Sequence, residues 1–397
     1  MIIQPKIRGF ICATAHPEGC LRAVRNQMNY VLEQGELRGP RNVLVIGAST
    51  GYGLASRIVA TFASHAKTIG VFFERAADEK RTASPGWYNS AAFESVAHDA
   101  GFYAKSINGD AFSRDVKEQT ADLIAKDLQQ VDLIIYSVAS PRRTHPDSGI
   151  TFSSTLKPIG QVFQGKTVDA FRGEIKDVKI EPANEKEIED TIAVMGGEDW
   201  AMWIDYLLER NLLAHGAQTI AYSYIGPELT HAIYKDGTIG QAKKDLKNTA
   251  DQLNQRLQSI GGSASVSVNK AVVTQASAAI PVVPLYISIL FKLMKEAGTH
   301  EGCVEQIYRL FKDYLYATYP LQRDRDGYIR IDDLEMDPKL QQQVAGLWTQ
   351  INSDNVNTLT DIEGYRSDFY ELFGFNFSDV NYEQDVNPDV KITSITS

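Results

Sequence analysis

A chain of 397 residues, 43% apolar and 23% charged, has the make-up of an ordinary globular protein and is long enough for one large α/β domain or two modest ones. Forty basic against fifty acidic residues give a net charge of -10 with no long Lys/Arg run, which argues against a nucleic-acid partner but leaves room for a local anion site. Three cysteines (Cys12, Cys20 and Cys303) cannot build a disulfide framework and suit a reducing cytosol. The N-terminus lacks the apolar core of a signal peptide, so a cytoplasmic location is expected. The most apolar stretch, 271–294, contains Pro281, Pro284 and Lys292 and reads as buried helix, so no membrane partner is expected.

Asn42–Ile46 (NVLVI) is a continuous apolar run, as in a strand buried on both faces. A glycine-rich turn follows, then a helix with Leu54, Ile58, Val59 and Phe62 on one face. Residues 68–73 are expected to form the second strand, 88–100 a helix and 103–107 the third strand. Ser113 is placed to cap a helix that buries Val116, Thr120, Leu123 and Ile124, and 132–136 is the fourth strand. This order predicts a parallel sheet with helices on both faces, the first half of a doubly wound nucleotide-binding fold. The alternation breaks over about 141–190, where short alternating runs predict a surface insertion with a hairpin or two. An aromatic-rich helix (198–213) follows, then a strand at 219–224, a helix at 241–257, a strand at 265–268 and two or three closing helices. The acidic tail, about 378–397, is expected to run extended over the surface. With no internal repeat and no long linker, a single domain over 1–397 is expected.

Gly47-Ala48-Ser49-Thr50-Gly51-Tyr52-Gly53 is the strongest local motif. Its glycines let backbone N–H groups approach a pyrophosphate, and the following helix N-terminus offers partial positive charge. The spacing G-x-x-x-G-x-G looks like the short-chain dehydrogenase/reductase pattern, and the flanking strand and helix raise it above a bland tight turn. Glu74, at the end of the second strand, can accept hydrogen bonds from adenosine ribose hydroxyls and would repel a 2′-phosphate, favouring NADH. Arg75 is the counter-evidence, and a solvated charge is the alternative. Ligands of such sheets lie beyond the carboxyl ends of the strands. That places Asp110 and Ala111 for the adenine, and Val138 and Ala139 for the inner ribose and nicotinamide side.

Tyr234 and Lys243 form Y-x8-K. On one continuous helix they would face opposite sides, and Asp236, Gly237 and Gly240 break the segment. Tyr234 is therefore expected before a turn and Lys243 in the first turn or two of the next helix. Lys243 heads an inward stripe with Leu246, Ala250, Leu253 and Leu257. A lone buried ammonium is costly, so it needs an anionic partner such as a cofactor phosphate or ribose; the alternative is that it snorkels out. Composition does not separate Tyr222, Tyr224 and Tyr234 among the 18 tyrosines. Residues 322–333 (QRDRDGYIRIDD) fit part of a calcium loop, but Gln322 and Asp333 stand where Asp and Glu are wanted; the segment also reads as an Asp-Gly turn and a strand. Cys12, His16 and Cys20, and His300 with Cys303, give no four-ligand zinc spacing, so no metal is expected.

From RGFICATAHPEGC to FNFSDVNYEQDVNPDVKI the chain resembles the trans-2-enoyl-CoA reductase / FabV-type enoyl-acyl-carrier-protein reductase family. The blocks that carry the resemblance include VLVIGASTGYGLASRI, GWYNSAAF, SINGDAFS, VMGGEDWAMWID, AYSYIGPE, IYKDGTIGQAKKDL and VSVNKAVVTQASAAIP. The resemblance implies a monomer with a Rossmann-type, short-chain-reductase-like core carrying inserted hairpins and extra helices. It implies reduction by NADH of the C2=C3 double bond of a trans-2-enoyl thioester, carried on acyl carrier protein or coenzyme A. That is the last reductive step of fatty-acid elongation or, with coenzyme A, crotonyl-CoA reduction in fermentation. Gly47, Ala48, Ser49, Thr50, Gly51, Tyr52, Phe73 and Glu74 would hold the cofactor, with Asp110, Ala111, Val138 and Ala139 lining it. Lys243 would bind NADH, and Val272, Val273 and Thr274 would complete its nicotinamide side. Tyr234 would donate the proton and Tyr224 would contact the substrate. The stretch 276–294, with Ile287 and Ile289, either walls an acyl pocket or fills the core. Arg142 and Arg143 either meet the carrier's phosphates or stay solvated. Two other classes compete: a short-chain ketone reductase, which would want Y-x3-K, and a non-catalytic NADH sensor.

Overall fold

The computed structural model describes residues 1–8 and 11–395. Seven parallel strands build the main sheet: β1 (Asn42–Ile46), β2 (Lys67–Phe72), β3 (Ala104–Asn108), β4 (Val131–Tyr136), β5 (Leu213–Ser223), β6 (Ser263–Val268) and β7 (Ile329–Arg330). Their order is β7-β6-β5-β4-β1-β2-β3, so the winding reverses between β1 and β4. In doubly wound sheets that reversal opens a crevice at the carboxyl ends. Val43 to Ile46 of β1 are all inaccessible to solvent, because both faces are covered. Val43 and Val45 join one core with Ala55, Ile58 and Val59; Leu44 and Ile46 join the other with Ile124, Trp203 and Leu207.

The longer helices, in chain order, are α1 (Pro17–Gln34), α2 (Gly51–Ser64), α3 (Pro85–Asp99), α4 (Arg114–Asp127), α5 (Glu185–Met195), α6 (Glu198–Glu209), α7 (Thr238–Leu257), α8 (Val283–Ala297), α9 (Cys303–Leu310), α10 (Pro338–Gln350) and α11 (Ile362–Glu371). Ser113 caps α4 by accepting from the Val116 N–H, as its position predicts. The insertion forms two hairpins, Arg142–Thr144 with Thr151–Ser153 and Phe163–Asp169 with Glu174–Ile180.

Two expectations change and one open reading resolves. β5 starts at Leu213, six residues early, because its first part is polar and its register with β4 shifts between Leu213 and Gln218. β7, which the sequence offered as the alternative reading of 322–333, is a two-residue strand that pairs with β6 at the sheet's edge. The closing helices number four of eight residues or more among the described residues, rather than two or three.

The tail turns at 378–380, 382–384 and 393–395, and its stretch 385–392 runs without turns over α3. The Trp87 indole donates to the Val390 carbonyl at 2.7 Å and the Tyr88 hydroxyl to Pro388 at 2.8 Å. Ser394 Oγ donates to Glu94 at 2.6 Å and accepts from the Ser106 N–H of β3 at 2.7 Å. Val386 and Ile392 are buried. Residues 396–397 lie outside the described residues. No helix among the described residues is long and apolar enough to cross a membrane.

Candidate active site

The glycine turn leaves β1 at the sheet's reversal point. Gly47 has φ +87°, a region that L side chains avoid, and a Cβ on it would stand 2.2 Å from the Ser137 carbonyl oxygen beyond β4. A Cβ on Gly53 would fall 1.9 Å from the Gly47 carbonyl oxygen. The backbone is thus packed so tightly that only glycine fits at either place. Thr50, the N-cap of α2, makes no capping side-chain hydrogen bond, which leaves the first N–H groups of a 14-residue helix for an anion. This cradle fits a dinucleotide pyrophosphate.

Glu74 stands two residues past β2 and is half-buried. Its Oε1 accepts from Ser49 Oγ at 2.7 Å and its Oε2 from Ser84 Oγ at 2.5 Å. The Asn108 side chain brackets its backbone, with contacts of 2.7 and 2.9 Å. It is therefore held, not a loose solvated charge. Arg75 points elsewhere, its guanidinium donating to the Thr82 carbonyl at 3.3 Å. Phe73 is 78% exposed, unusual for a phenylalanine.

Asp110 and Ala111 follow β3. Asp110 Oδ1 accepts from the Phe112 N–H at 3.0 Å. The Ala111 carbonyl accepts from Lys117 Nζ at 2.9 Å and from the Trp203 indole at 3.1 Å. Beneath it, Lys117 and Asp199 form an ion pair of 2.7 Å, with Tyr136 donating to the second carboxylate oxygen at 3.1 Å. Both are buried, and burial pushes each toward its neutral form while their attraction opposes it. Val138 is half-buried and Ala139 exposed, just past β4.

Val272 and Val273 are buried, and Thr274 caps the helical turn Gln275–Ala278. Thr274 Cγ2 lies 3.9 Å from where a Gly51 Cβ would stand, so this segment faces the glycine turn. Tyr52 ties the two together: its hydroxyl lies 2.6 Å from the Lys270 carbonyl and 2.9 Å from Gln306 Oε1.

The structure separates the three tyrosines. Tyr222 is closed off, its hydroxyl 2.6 Å from Ser56 Oγ in α2. The Tyr224 hydroxyl donates to Glu335 Oε1 at 3.0 Å, and its ring meets the Tyr234 ring edge-on at 5.1 Å. The Tyr234 hydroxyl has no hydrogen-bond partner among the described residues. Burial raises the Tyr234 phenol above its ordinary value. Tyr234 precedes the turn at Gly237, and Lys243 lies in the second turn of α7, as the spacing predicts. Lys243 Nζ reaches the Tyr222 carbonyl at 3.4 Å and has no carboxylate partner among the described residues; burial lowers it to about 8. No hydrogen bond joins Lys243 to Tyr234 among the described residues.

Other expectations resolve here. Arg143 is buried and donates to the Ala193 carbonyl and to Glu198, both at 2.6 Å, so it is not free for a carrier phosphate. Arg142 is exposed. Ile287 and Ile289 are fully buried in the core, so α8 fills the interior. Residues 322–333 form an Asp-Gly turn, with Gly327 at φ +84°, that leads into β7. Sequence reasoning missed Glu335, Tyr286, Lys270 and the Lys117–Asp199 pair. Each is a polar residue in a segment that reads as ordinary surface or core; Glu335, Tyr286 and the Lys117–Asp199 pair have partners remote in sequence, whereas the Lys270 amine donates to the neighbouring Ala271 carbonyl.

Three family models match the chain. Residues 2–79 match the NAD(P)H binding domain of trans-2-enoyl-CoA reductase, and residues 81–316 the trans-2-enoyl-CoA reductase catalytic region. Residues 323–386 match a model described as the enoyl reductase FAD binding domain. That segment does not fit a flavin. Among its described residues it has no strand, glycine turn and helix in succession, and Leu340, Val344, Ile362, Tyr365 and Phe369 are spent filling the core. The enoyl-[acyl-carrier-protein] reductase [NADH] of Coxiella burnetii is 61% identical, over 100% of this chain and 98% of the relative. The trans-2-enoyl-CoA reductase [NADH] of Ruminiclostridium cellulolyticum is 57% identical over 100% of both. The crystal structure of Treponema denticola trans-2-enoyl-CoA reductase in complex with NAD superposes with a TM-score of 0.94 at 48% identity, over 97% of this chain and 98% of that one. With two of the three matched regions spanning most of its length, and relatives this similar from end to end, the chain belongs to the trans-2-enoyl-CoA reductase family.

Proposed function

We propose that this protein reduces the C2=C3 double bond of trans-2-enoyl thioesters with NADH. The observation that carries the reading is the free Tyr234 hydroxyl, its ring packed edge-on against Tyr224 just past β5, at the same end of the sheet as the uncapped α2 N-terminus. In this reading the turn from Gly47 to Tyr52 holds the pyrophosphate. Phe73 and Glu74 take the adenosine side, Glu74 accepting from the ribose hydroxyls. Asp110 and Ala111 line the adenine. Val138, Ala139, Val272, Val273 and Thr274 bound the nicotinamide side, and Lys243 meets the ribose or a phosphate. NADH bound there supplies the hydride for the β-carbon. As charge gathers on the thioester oxygen, Tyr234 donates a hydrogen bond to it and delivers a proton. The Lys243 charge favours the phenolate that remains. Tyr224 forms part of the substrate wall.

The two curated relatives differ in carrier, one named for acyl carrier protein and one for coenzyme A. Fatty-acid elongation by a single-domain, monomeric, cytoplasmic enzyme is the role proposed; a crotonyl-CoA reductase is the second reading. The test follows NADH absorbance while the same enoyl chain is offered on each carrier. Consumption is expected, with the higher kcat/KM on acyl carrier protein. A higher value on coenzyme A favours the second reading, and no consumption despite NADH binding makes the protein a sensor.

Lys243 adds a pH dependence. Its amine sits at about 8 in the free protein, so the charge is lost as pH rises past that value. NADH affinity that uses the charge should fall above it, by up to about tenfold per pH unit. Dissociation constants measured by fluorescence from pH 7 to 9 check this, with Lys243→Met expected to be weak and flat. A flat profile in the unaltered protein removes Lys243 from the cofactor site.

A further inference from the structure

Glu335 lies between β7 and α10 and is wholly inaccessible to solvent. Its Oε1 accepts from the Tyr224 hydroxyl at 3.0 Å and from the Tyr286 hydroxyl at 2.6 Å. Its Oε2 accepts from the Ala271 N–H at 2.7 Å. Gln341 closes the arrangement, its amide donating to the Tyr286 oxygen at 3.1 Å and to the Glu335 carbonyl at 2.6 Å. Lys270, also buried, donates to the Ala271 carbonyl at 2.8 Å and adds a positive charge to the same pocket. Burial raises the Glu335 carboxyl, while Lys270 and the Tyr286 and Ala271 donors oppose that rise. Burying a carboxylate for packing alone is unfavourable, and three converging donors are what an acceptor needs there.

We propose that Glu335 is a positioning residue of the reductase site: one carboxylate fixes both the hydroxyl of Tyr224 and the start of the 271–274 segment. The proposal rests on the reductase reading above. A phenol has a single proton. Tyr224 gives its proton to Glu335, so it meets a substrate with its ring and its oxygen lone pairs. Tyr234, packed edge-on against it, keeps a proton to give. Glu335 thereby divides two adjacent tyrosines into an acceptor and a donor. It also couples that division to the segment facing the glycine turn, because Ala271 hangs on its other oxygen.

The test is a double-variant cycle on the full chain. Glu335→Gln keeps the volume but turns one acceptor into a donor. Either its nitrogen faces the two hydroxyls and the Tyr224 proton turns outward, or it faces the Ala271 N–H and donor meets donor. kcat/KM for the active enoyl thioester should fall roughly tenfold or more, with NADH affinity retained. Tyr224→Phe should fall too, and the double variant should lose no more than the worse single one, because the two act as a unit. Glu335→Asp, which keeps the charge, should recover part of the loss, and it replaces Glu335→Gln in the cycle if the latter does not fold. Losses that multiply in the double variant, or unchanged kinetics in Glu335→Gln, overturn the proposal while leaving the reductase reading intact. Absence of turnover in the unaltered protein overturns that reading and this proposal with it.

Discussion

Tyr234→Phe is expected to lower kcat by roughly 10²–10⁴-fold while leaving NADH affinity unchanged. The substitution deletes one oxygen and keeps the ring, so the edge-on packing against Tyr224 persists. No hydrogen bond inside the fold is broken, because the hydroxyl has no partner among the described residues. A loss of rate therefore measures chemistry rather than structure. Phenylalanine can neither stabilise charge on a thioester oxygen nor deliver a proton to it. Steady-state kinetics with the enoyl thioester, beside NADH titration by fluorescence, decides the matter. An unchanged kcat refutes the assignment and turns attention to Tyr224. Ketone reduction would also need a hydroxyl donor, so the unaltered protein should be offered a short-chain ketone as well, which it is expected to leave unreduced.

Asp199→Ala is expected to destabilise the fold by about 3–5 kcal/mol, the usual cost of stripping one partner from a buried ion pair. Lys117 would keep only the carbonyls of Ala111 and Phe112, and Tyr136 would lose its acceptor. A buried ammonium is then left with only the weaker influence of Asp110 as counter-charge. Denaturant unfolding of this variant measures the loss. Replacing both partners with apolar residues (Lys117→Met with Asp199→Leu) should return most of it, since such pairs seldom outdo well-packed hydrocarbon. NADH binding should weaken in that double variant, because the Ala111 carbonyl has lost its Lys117 donor. Unchanged NADH affinity in it would show that the pair stabilises the core without shaping the adenine loop.

What the sequence made legible follows from range. β1 announces itself through four consecutive apolar residues, and Ser113 through its own offset to Val116, because both signals are local. The glycine turn is legible for the same reason: strand, turn and helix are consecutive. The turn between Tyr234 and Lys243 could be deduced because helical geometry forbids the alternative. Glu335 could not, since it sits in an acidic loop and its partners Ala271, Tyr286 and Tyr224 lie 64, 49 and 111 residues away. Arg143 looked like a surface charge because its acceptors, on Ala193 and Glu198, are 50 and 55 residues off. β7 is too short for periodicity to register, and it was the Asp-Gly turn before it that marked the strand.

The tail has a bearing on how the chain survives its own synthesis. β3 is the outermost strand on its side of the sheet, and an open strand edge is a template for unwanted pairing with another chain. Ser394 takes up the Ser106 N–H on that edge, yet it is made 288 residues after Ser106. Throughout that interval a growing chain carries the edge bare, which is when neighbouring copies are most prone to stick. The tail thus works as a late-arriving guard, and crowding of nascent chains, rather than weakness of the finished core, is where this fold is most exposed to aggregation.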